Sequence, residues 1–448
     1  MQFAGMRTDA ALRPLGEPID IFVKLTEDIL PEPEAILVTG TTPQKTRENG
    51  ISESEFCRIL TEQIFTPDTI IVGFNNIRFD DEFIRPTLWR NIYDPYEWSW
   101  QEGRSRWDML DVVRMTRALR PEGINWPVDE AGQPTNRLEQ LATANDISHT
   151  HAHDALSDVE ATIGITRCIK QAQPKLFDWL LKIRDKKEVA KLVNVVEPVP
   201  FVYSSGRYGK EKQFTTVAFP LAPSSKPGSM LVYDLSVDPE QFTHWTPKEM
   251  LKSLTASYED RQKETYTRLP IKELQFNRCP AVAPLGVFDK TSQKRLNIDM
   301  NTIENHLKIL VKSDIGDRAA EAFRARPEYP KQEDVEMQLY DSFIPDQDHA
   351  RMAVVRAATE SSLADFHPDF SDERFIELLI RYKARQFPSS LSKDEQNHWE
   401  LYRTRKFHAS AEQYIQQIAH LMQKRTSSQD QFLLEELRLW CEMNAPLS

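Results

Sequence analysis

The chain has 448 residues, 40% hydrophobic and 28% charged, enough for two to four domains that each bury a core. Its 56 Lys+Arg against 68 Asp+Glu give a net charge of −12, which excludes a uniformly basic nucleic-acid coat but not a local basic groove. No apolar run approaches the ~18 residues of a membrane span and the opening residues lack a signal-peptide pattern, so a cytoplasmic protein without membrane association is expected.

Up to about residue 173, strand-like runs alternate with helical ones, the texture of an α/β layer domain. "EAILVTGTTP" (residues 34–43) predicts a short strand and a turn, with Pro43 at a helix start. "SESEFCRILTEQIF" has helical spacing at Phe56, Ile59, Leu60 and Ile64, and "TIIVGF" is a compact β-branched strand that stops at Asn75 and Asn76. A further helix is expected to open at Ala155 and Leu156. Residues 174–327 begin helically, then turn to short strands punctuated by Pro, Gly and Ser, which reads as a small β-barrel or sandwich with added helices. Residues 330–448 are helical and charged, with apolar positions every three or four residues. Four scattered cysteines (Cys57, Cys168, Cys279, Cys441) form no C-x-x-C pair and read as buried thiols.

Chemistry concentrates in two places. After "TIIVGF" comes "NNIRFDDEF", where Phe79 is expected to pack down while Asp80 points into a cleft, since α/β sheets place their sites at strand ends. Asp80, Asp81 and Glu82 would equally suit the positive end of a helix. In "HDALSD", His153 and Asp158 can face one site only if His153 lies in the loop before the helix and Asp158 in its first turns. Between Arg78 and Arg120 lie eight arginines and no lysine, interleaved with Trp89, Tyr93, Tyr96, Trp98, Trp100 and Trp107. Guanidiniums grip phosphates and aromatic faces stack bases without reading sequence. About half of each group is expected to be structural.

N-x-x-x-F-D after a strand and H-x-x-x-x-D opening a helix resemble two motifs of the exonucleases built on four acidic ligands and a histidine. The likeness widens with "GFNNIRFDDEF", "YDPYEWSWQ", "SRWDMLDVVR", "ALRPEGINWP", "THAHDALSDV", "QLYDSF" and "RYKARQFP", which fall in the order found in bacterial exodeoxyribonuclease I and span essentially the whole chain. That resemblance implies a Mg²⁺-dependent, processive 3′-to-5′ exonuclease that degrades single-stranded DNA to 5′-mononucleotides in repair and recombination. It implies an α/β ribonuclease-H-like exonuclease domain (1–173), an SH3-like β-barrel domain (174–327) and an all-α C-terminal domain (330–448), together a monomer closing around the strand. Asp80 and Asp158 match carboxylates for two Mg²⁺ ions, with Mn²⁺ as an alternative, and His153 matches the general base. Arg137 matches a substrate-contacting arginine; Arg85, Tyr96, Trp100, Arg114, Tyr340 and Phe343 match further DNA contacts.

The resemblance also implies a pocket for the acidic, apolar tail of single-stranded-DNA-binding protein, of which Arg120 and Trp179 match part. Other pocket positions carry Glu197, Pro284 and Asp289 here, with Lys290 placed to compensate if the loop register shifts. The family's first strand with its D-x-E motif has no counterpart, because Met1 falls inside what resembles the second strand. Two of four metal carboxylates are therefore missing from the chain as written. The expectation is a longer natural protein that starts upstream; the alternative is a catalytically impaired fragment that binds single strands without cutting them.

Overall fold

The computed structural model describes residues 1–147 and 155–446. The α/β layer carries two short ladders. Strands β1 (Gln2–Gly5) and β2 (Ile19–Phe22) pair antiparallel, Gln2 opposite Phe22, while β3 (Ile70–Gly73) and β4 (Ser105–Asp108) run parallel, Ile70 opposite Ser105. These ladders are not hydrogen-bonded to each other. Arg7 ties them at one end, donating to Thr69 Oγ1 (2.9 Å) and the Ile64 carbonyl (2.6 Å). Phe3, Ile21, Phe56, Leu60, Ile71, Leu88 and Trp98 share the core beneath. On the other face of β3, Ile70 and Val72 remain 37% and 39% exposed.

Residues 34–43 correct one expectation. They form the helix Pro33–Thr39, not a strand. Proline at the first helical position and Gly40 closing the helix at φ 63° are helix signals that outweigh the β-branched run. Ile36 and Leu37 find their apolar partners in Tyr414, Ile418 and Leu434 of the C-terminal helices, a contact no local pattern announces. Pro43 does begin a helix (Pro43–Asn49), capped by Thr42, and Ala155 opens the helix Ala155–Ala172.

Beyond two helices (Pro174–Lys182 and Lys186–Leu192) comes a five-stranded antiparallel sheet. Its strands are β5 (Phe201–Ser204), β6 (Thr215–Pro223), β7 (Ser229–Asp234), β8 (Ile271–Gln275) and β9 (Ala281–Pro284), in the spatial order β8-β7-β6-β5-β9. A register shift between Pro220 and Ala222 bends β6. The helix Met109–Leu119 lies against this sheet on one side and the helix Ala155–Ala172 on the other, so one continuous core runs from Ile77 to Phe323.

The last part is helical: Asp346–Ala357, Arg374–Gln386, Lys393–Lys424 and Ser428–Met443. Ser392 starts the longest of these with a reciprocal capping box to Glu395. The helical part is clasped to the first domain. Buried Asp28 meets Arg385 (2.7 Å) and Lys406 (2.8 Å), Trp89 donates to the Val335 carbonyl, and Trp440 donates to the Ile29 carbonyl. All four cysteines are free thiols. Among the described residues no helix is long and apolar enough to cross a membrane.

Candidate active site and strand-binding surface

The site is assembled where β3 ends. Gly73 permits a tight exit: a Cβ there would stand 2.6 Å from Asn76 Cβ. Asn75 then takes a left-handed conformation (φ 64°), and its amide donates to Asp108 Oδ1 at 2.8 Å. Asp108, the last residue of β4, also caps its own helix through the Leu110 amide (3.0 Å). Burial pushes the Asp108 carboxyl up to about 6, with the charge of Asp111 adding to it. This aspartate fixes the turn that delivers Asp80, and sequence reading did not single it out. Its signal was position: an acid at the end of the strand paired with β3.

Asp80 stands just before the helix Asp81–Arg90. It is exposed to solvent. Partial desolvation raises its pKa, and the nearby charge of Asp158 raises it further. Asp158, half-buried in the first turns of Ala155–Ala172, therefore shares this locality with Asp80 although 78 positions separate them. His153 lies outside the described residues.

Phe79 does not pack down as expected. It is 59% exposed, and its ring lies 5.1 Å from that of Phe83, also exposed, beside Asp80. The turn directs Asp81 inward instead. That carboxylate, buried, takes Arg85 at 3.1 Å and Arg106, both themselves buried. Arg106 in turn reaches the Asn277 carbonyl beyond β8. Of the residues expected to touch a strand, Arg85 is thus placed as an interior ion-pair member, stacked over the Tyr96 ring at 5.5 Å. Sequence gave no warning, because the partner Asp81 sits in the same acidic triplet as Asp80.

Three predicted aromatics do converge. Tyr96 lies with Tyr340 (ring centroids 6.5 Å apart) and Phe343 (6.1 Å), and the Tyr96 hydroxyl donates to the Leu339 carbonyl. Tyr340 donates to Glu82 Oε2 at 2.5 Å, which links this cluster to the helix that Asp80 precedes. Phe343 is 86% and Trp100 61% exposed, available to stack on a base. Trp89, Trp98 and Trp107 are core residues. Arg137 is exposed at the start of the helix Leu138–Ala144. Arg114 pairs with Asp111 at 2.5 Å and lies over the Phe214 ring.

The arginine run is more structural than expected. Arg90 holds Glu53, Arg104 holds Glu102, and buried Arg117 donates to the carbonyls of Thr135 and Pro127. Arg78 remains largely exposed, 3.7 Å from Asp111. A second basic group, which sequence reading missed, lies where the exonuclease and barrel parts meet. Lys272 on β8 is enclosed, donating to Tyr203 Oη and Ser205 Oγ at 2.5 Å. Burial lowers its pKa to about 7, Asp111 works against that, and Arg78, Arg207 and Arg114 lower it further. Only the fold brings together residues 78, 114, 207 and 272.

At the expected tail pocket, Arg120 is committed to Asp289 (3.1 Å) and to the Val287 carbonyl (2.9 Å). Trp179 is half-buried with its indole donating to the Val282 carbonyl. Glu197 is exposed, Pro284 ends β9, and Lys290 follows Asp289 into the helix Lys290–Leu296.

Three family descriptions match in turn: "Exonuclease" over residues 1–166, "Exonuclease I SH3-like domain" over 184–325 and "Exonuclease I C-terminal domain" over 333–444. Exodeoxyribonuclease I of Haemophilus influenzae is 38% identical over 436 residues, which cover 97% of this chain and 92% of that one. A zinc-bound Escherichia coli exonuclease I–single-stranded DNA complex superposes with a TM-score of 0.93 at 35% identity, covering 99% of this chain and 95% of that one. A structure of single-stranded-DNA-binding protein with exonuclease I and an inhibitor gives 0.89 at 34% identity, with the same coverage.

Proposed function

Because this chain belongs to the exodeoxyribonuclease I family, we propose that it is a 3′-to-5′ exonuclease that shortens single-stranded DNA to 5′-mononucleotides, serving cytoplasmic DNA repair and recombination. The observation that carries this reading is the convergence of Asp80 and Asp158 at the end of β3, within the same domain as the exposed Phe79–Phe83 pair.

A carboxyl that lies within reach of the charge of a second carboxylate suits a shared divalent cation. Asp80 and Asp158 would hold Mg²⁺, or Mn²⁺ in its place; such ions supply the Lewis acidity that activates water and relieves charge on the leaving oxygen. His153, the residue we assign as general base, would take a proton from the attacking water. Arg137 would grip a phosphate, and Trp100, Tyr96, Tyr340 and Phe343 would stack bases without selecting among them. Arg85 would act from the interior, through its contacts with the Tyr96 ring and with Glu82 at 3.5 Å. Arg114 contributes positive potential beside Arg78, Arg207 and Lys272.

The tail of single-stranded-DNA-binding protein is a partner on this reading. Docking at Arg120 would first have to displace Asp289, or lean on Lys290 instead.

A second reading, strand binding without cleavage, is favoured by one observation. Only two carboxylates converge at the site among the described residues, where the chemistry calls for four. A 5′-labelled single-stranded oligonucleotide with Mg²⁺ separates the two. The nuclease reading expects a ladder shortening from the 3′ end with release of mononucleotides, and little action on duplex DNA or RNA. Tight, salt-sensitive binding with no release would leave the binding reading standing.

A further inference from the structure

Away from Asp80 and Asp158, a cleft of about 520 Å³ opens between the first domain and the helical part. At one wall, Asp94, Glu97 and His349 bring one ligand-type atom each to within 4.8 Å of one another. We propose that these three residues form a Zn²⁺-class metal site that pins the helix Asp346–Ala357 to the loop carrying Tyr96.

The three side chains are set up by separate parts of the chain. Asp94 accepts hydrogen bonds on Oδ1 from the amides of Tyr96 (2.7 Å) and Glu97 (3.0 Å). Its Oδ2 is left to face His349. The histidine sits in the first turn of its helix, beside Asp348, whose buried carboxylate is fixed by the amides of Ser371 and Asp372. Met352 and Val355 anchor the same helix in the core. His349 therefore approaches the two acids on a rigid element.

Distances separate a metal site from a plain ion pair. His349 Nε2 stands 3.4 Å from Asp94 Oδ2, and Nδ1 stands 3.6 Å from Glu97 Oε1. Nε2 is shielded from solvent, yet makes no hydrogen bond. A charged N–H···O contact closes to about 2.7–2.9 Å, and His398 with Glu377 closes to 2.5 Å in this same molecule. By contrast, tetrahedral ligands each about 2.0–2.1 Å from zinc lie about 3.3–3.4 Å from one another. The Nε2–Oδ2 spacing fits the edge of such a tetrahedron. Glu97 Oε1 stands on the Nδ1 side of the ring, so supplying the third ligand requires its carboxylate to swing toward Nε2 and release Gln101, with the fourth position left to water.

The neighbouring cations are engaged elsewhere. Arg58 holds Glu55 and Glu62, Arg104 holds Glu102, and Arg356 donates to the Ile92 carbonyl over the Tyr93 ring. An imidazole in the donor set favours zinc or a similar transition metal over Mg²⁺, which prefers an all-oxygen shell. The molecule would thus sort two metals by ligand chemistry, one class at each site. The inference does not depend on the nuclease reading.

The test uses the full chain carrying Asp80→Asn and Asp158→Asn, which removes the other carboxylate pair, stripped with chelator and titrated calorimetrically with Zn²⁺. The expected result is one Zn²⁺ per chain, retained in millimolar Mg²⁺, with a raised thermal midpoint. His349→Ala and the isosteric Glu97→Gln should each weaken uptake at least about tenfold. X-ray absorption should show nitrogen and oxygen neighbours and no sulfur. No uptake by the parent, undiminished uptake in both variants, or sulfur in the zinc shell overturns the proposal. Should His349→Ala fail to fold, Glu97→Gln and the absorption spectrum still decide.

Discussion

At the scale of single residues, the site rests on acids that look alike in sequence and differ in surroundings. Asp80 and Asp158 share one locality, Asp81 is an interior anchor for two arginines, and Asp108 ties a turn. Asp158→Ala, made in a chain that cleaves, is expected to leave under about 1% of activity, a loss of at least roughly 2.7 kcal/mol in transition-state stabilisation. Binding of single-stranded DNA in Ca²⁺ should be kept. Appreciable residual turnover in a stopped-time assay would remove Asp158 from the metal's ligands. Lys272 offers a pH test. Its folded pKa is lowered to about 7 from an ordinary value of 10.5, so between those limits the unfolded chain binds the extra proton. Stability should therefore rise as pH climbs from about 7 towards 10, and urea midpoints of Lys272→Met should lack that rise. That Asp158 lies near Asp80, and Tyr340 and Phe343 near Tyr96, was legible through the family resemblance, which pairs residues far apart in the chain. The inward turn of Asp81 and the enclosure of Lys272 were not, since both depend on groups far off in the chain.

Among elements, the exit from β3 shows how a short run of backbone sets chemistry. Gly73 admits Asn76, Asn75 turns left-handed, and the next helix starts with Asp80 at its head. Gly73→Ala should cost about 1–3 kcal/mol through overpacking against Asn76. In urea unfolding the midpoint should fall, and the Asp80-dependent metal affinity should fall with it; an unchanged midpoint would show that the turn can relax. Element type was legible in the helices beginning at Pro43 and Ala155, whereas "SSLSKDEQ" reads as an interruption and yet holds the capping box that starts the helix at Lys393. It failed at residues 34–43, where five apolar or β-branched residues in a row (Ala35 to Thr39) looked like a strand. There the helix gains its burial from partners almost 400 positions away. Phe79 failed because a site at a strand end does not fix which neighbour turns inward: the turn after β3 buries Asp81 between Arg85 and Arg106 and leaves Phe79 outside.

For the whole molecule, charge is the clasp between first and last parts. Asp28 is fully enclosed; burial alone would raise its pKa, but Arg385 and Lys406 hold it far below the usual carboxylate range. Asp28→Ala takes the carboxylate partner from Lys406 and leaves Arg385 with Glu336 alone, and should cost about 3–5 kcal/mol, read as an earlier thermal transition of the helical part. A carboxylate with a depressed folded pKa contributes stability above its unfolded value near 4, and that contribution drains away as pH falls below it. Equal midpoints for parent and variant at pH 7 would mean the clasp is dispensable. The three-part layout was legible in the change of texture along the chain. How the parts share their interior was not, because hydrophobic pattern marks a buried face without naming what covers it.

That sharing bears on how such a protein can change over time. The helix Met109–Leu119 has no face of its own to spare, with Met109, Val113, Met115 and Ala118 all enclosed between its own domain and the barrel strands. A gene rearrangement cutting near residue 173 would strip one side of that helix bare and yield two sticky halves. The exonuclease and barrel parts therefore depend on each other for a closed interior, however separable their names make them sound.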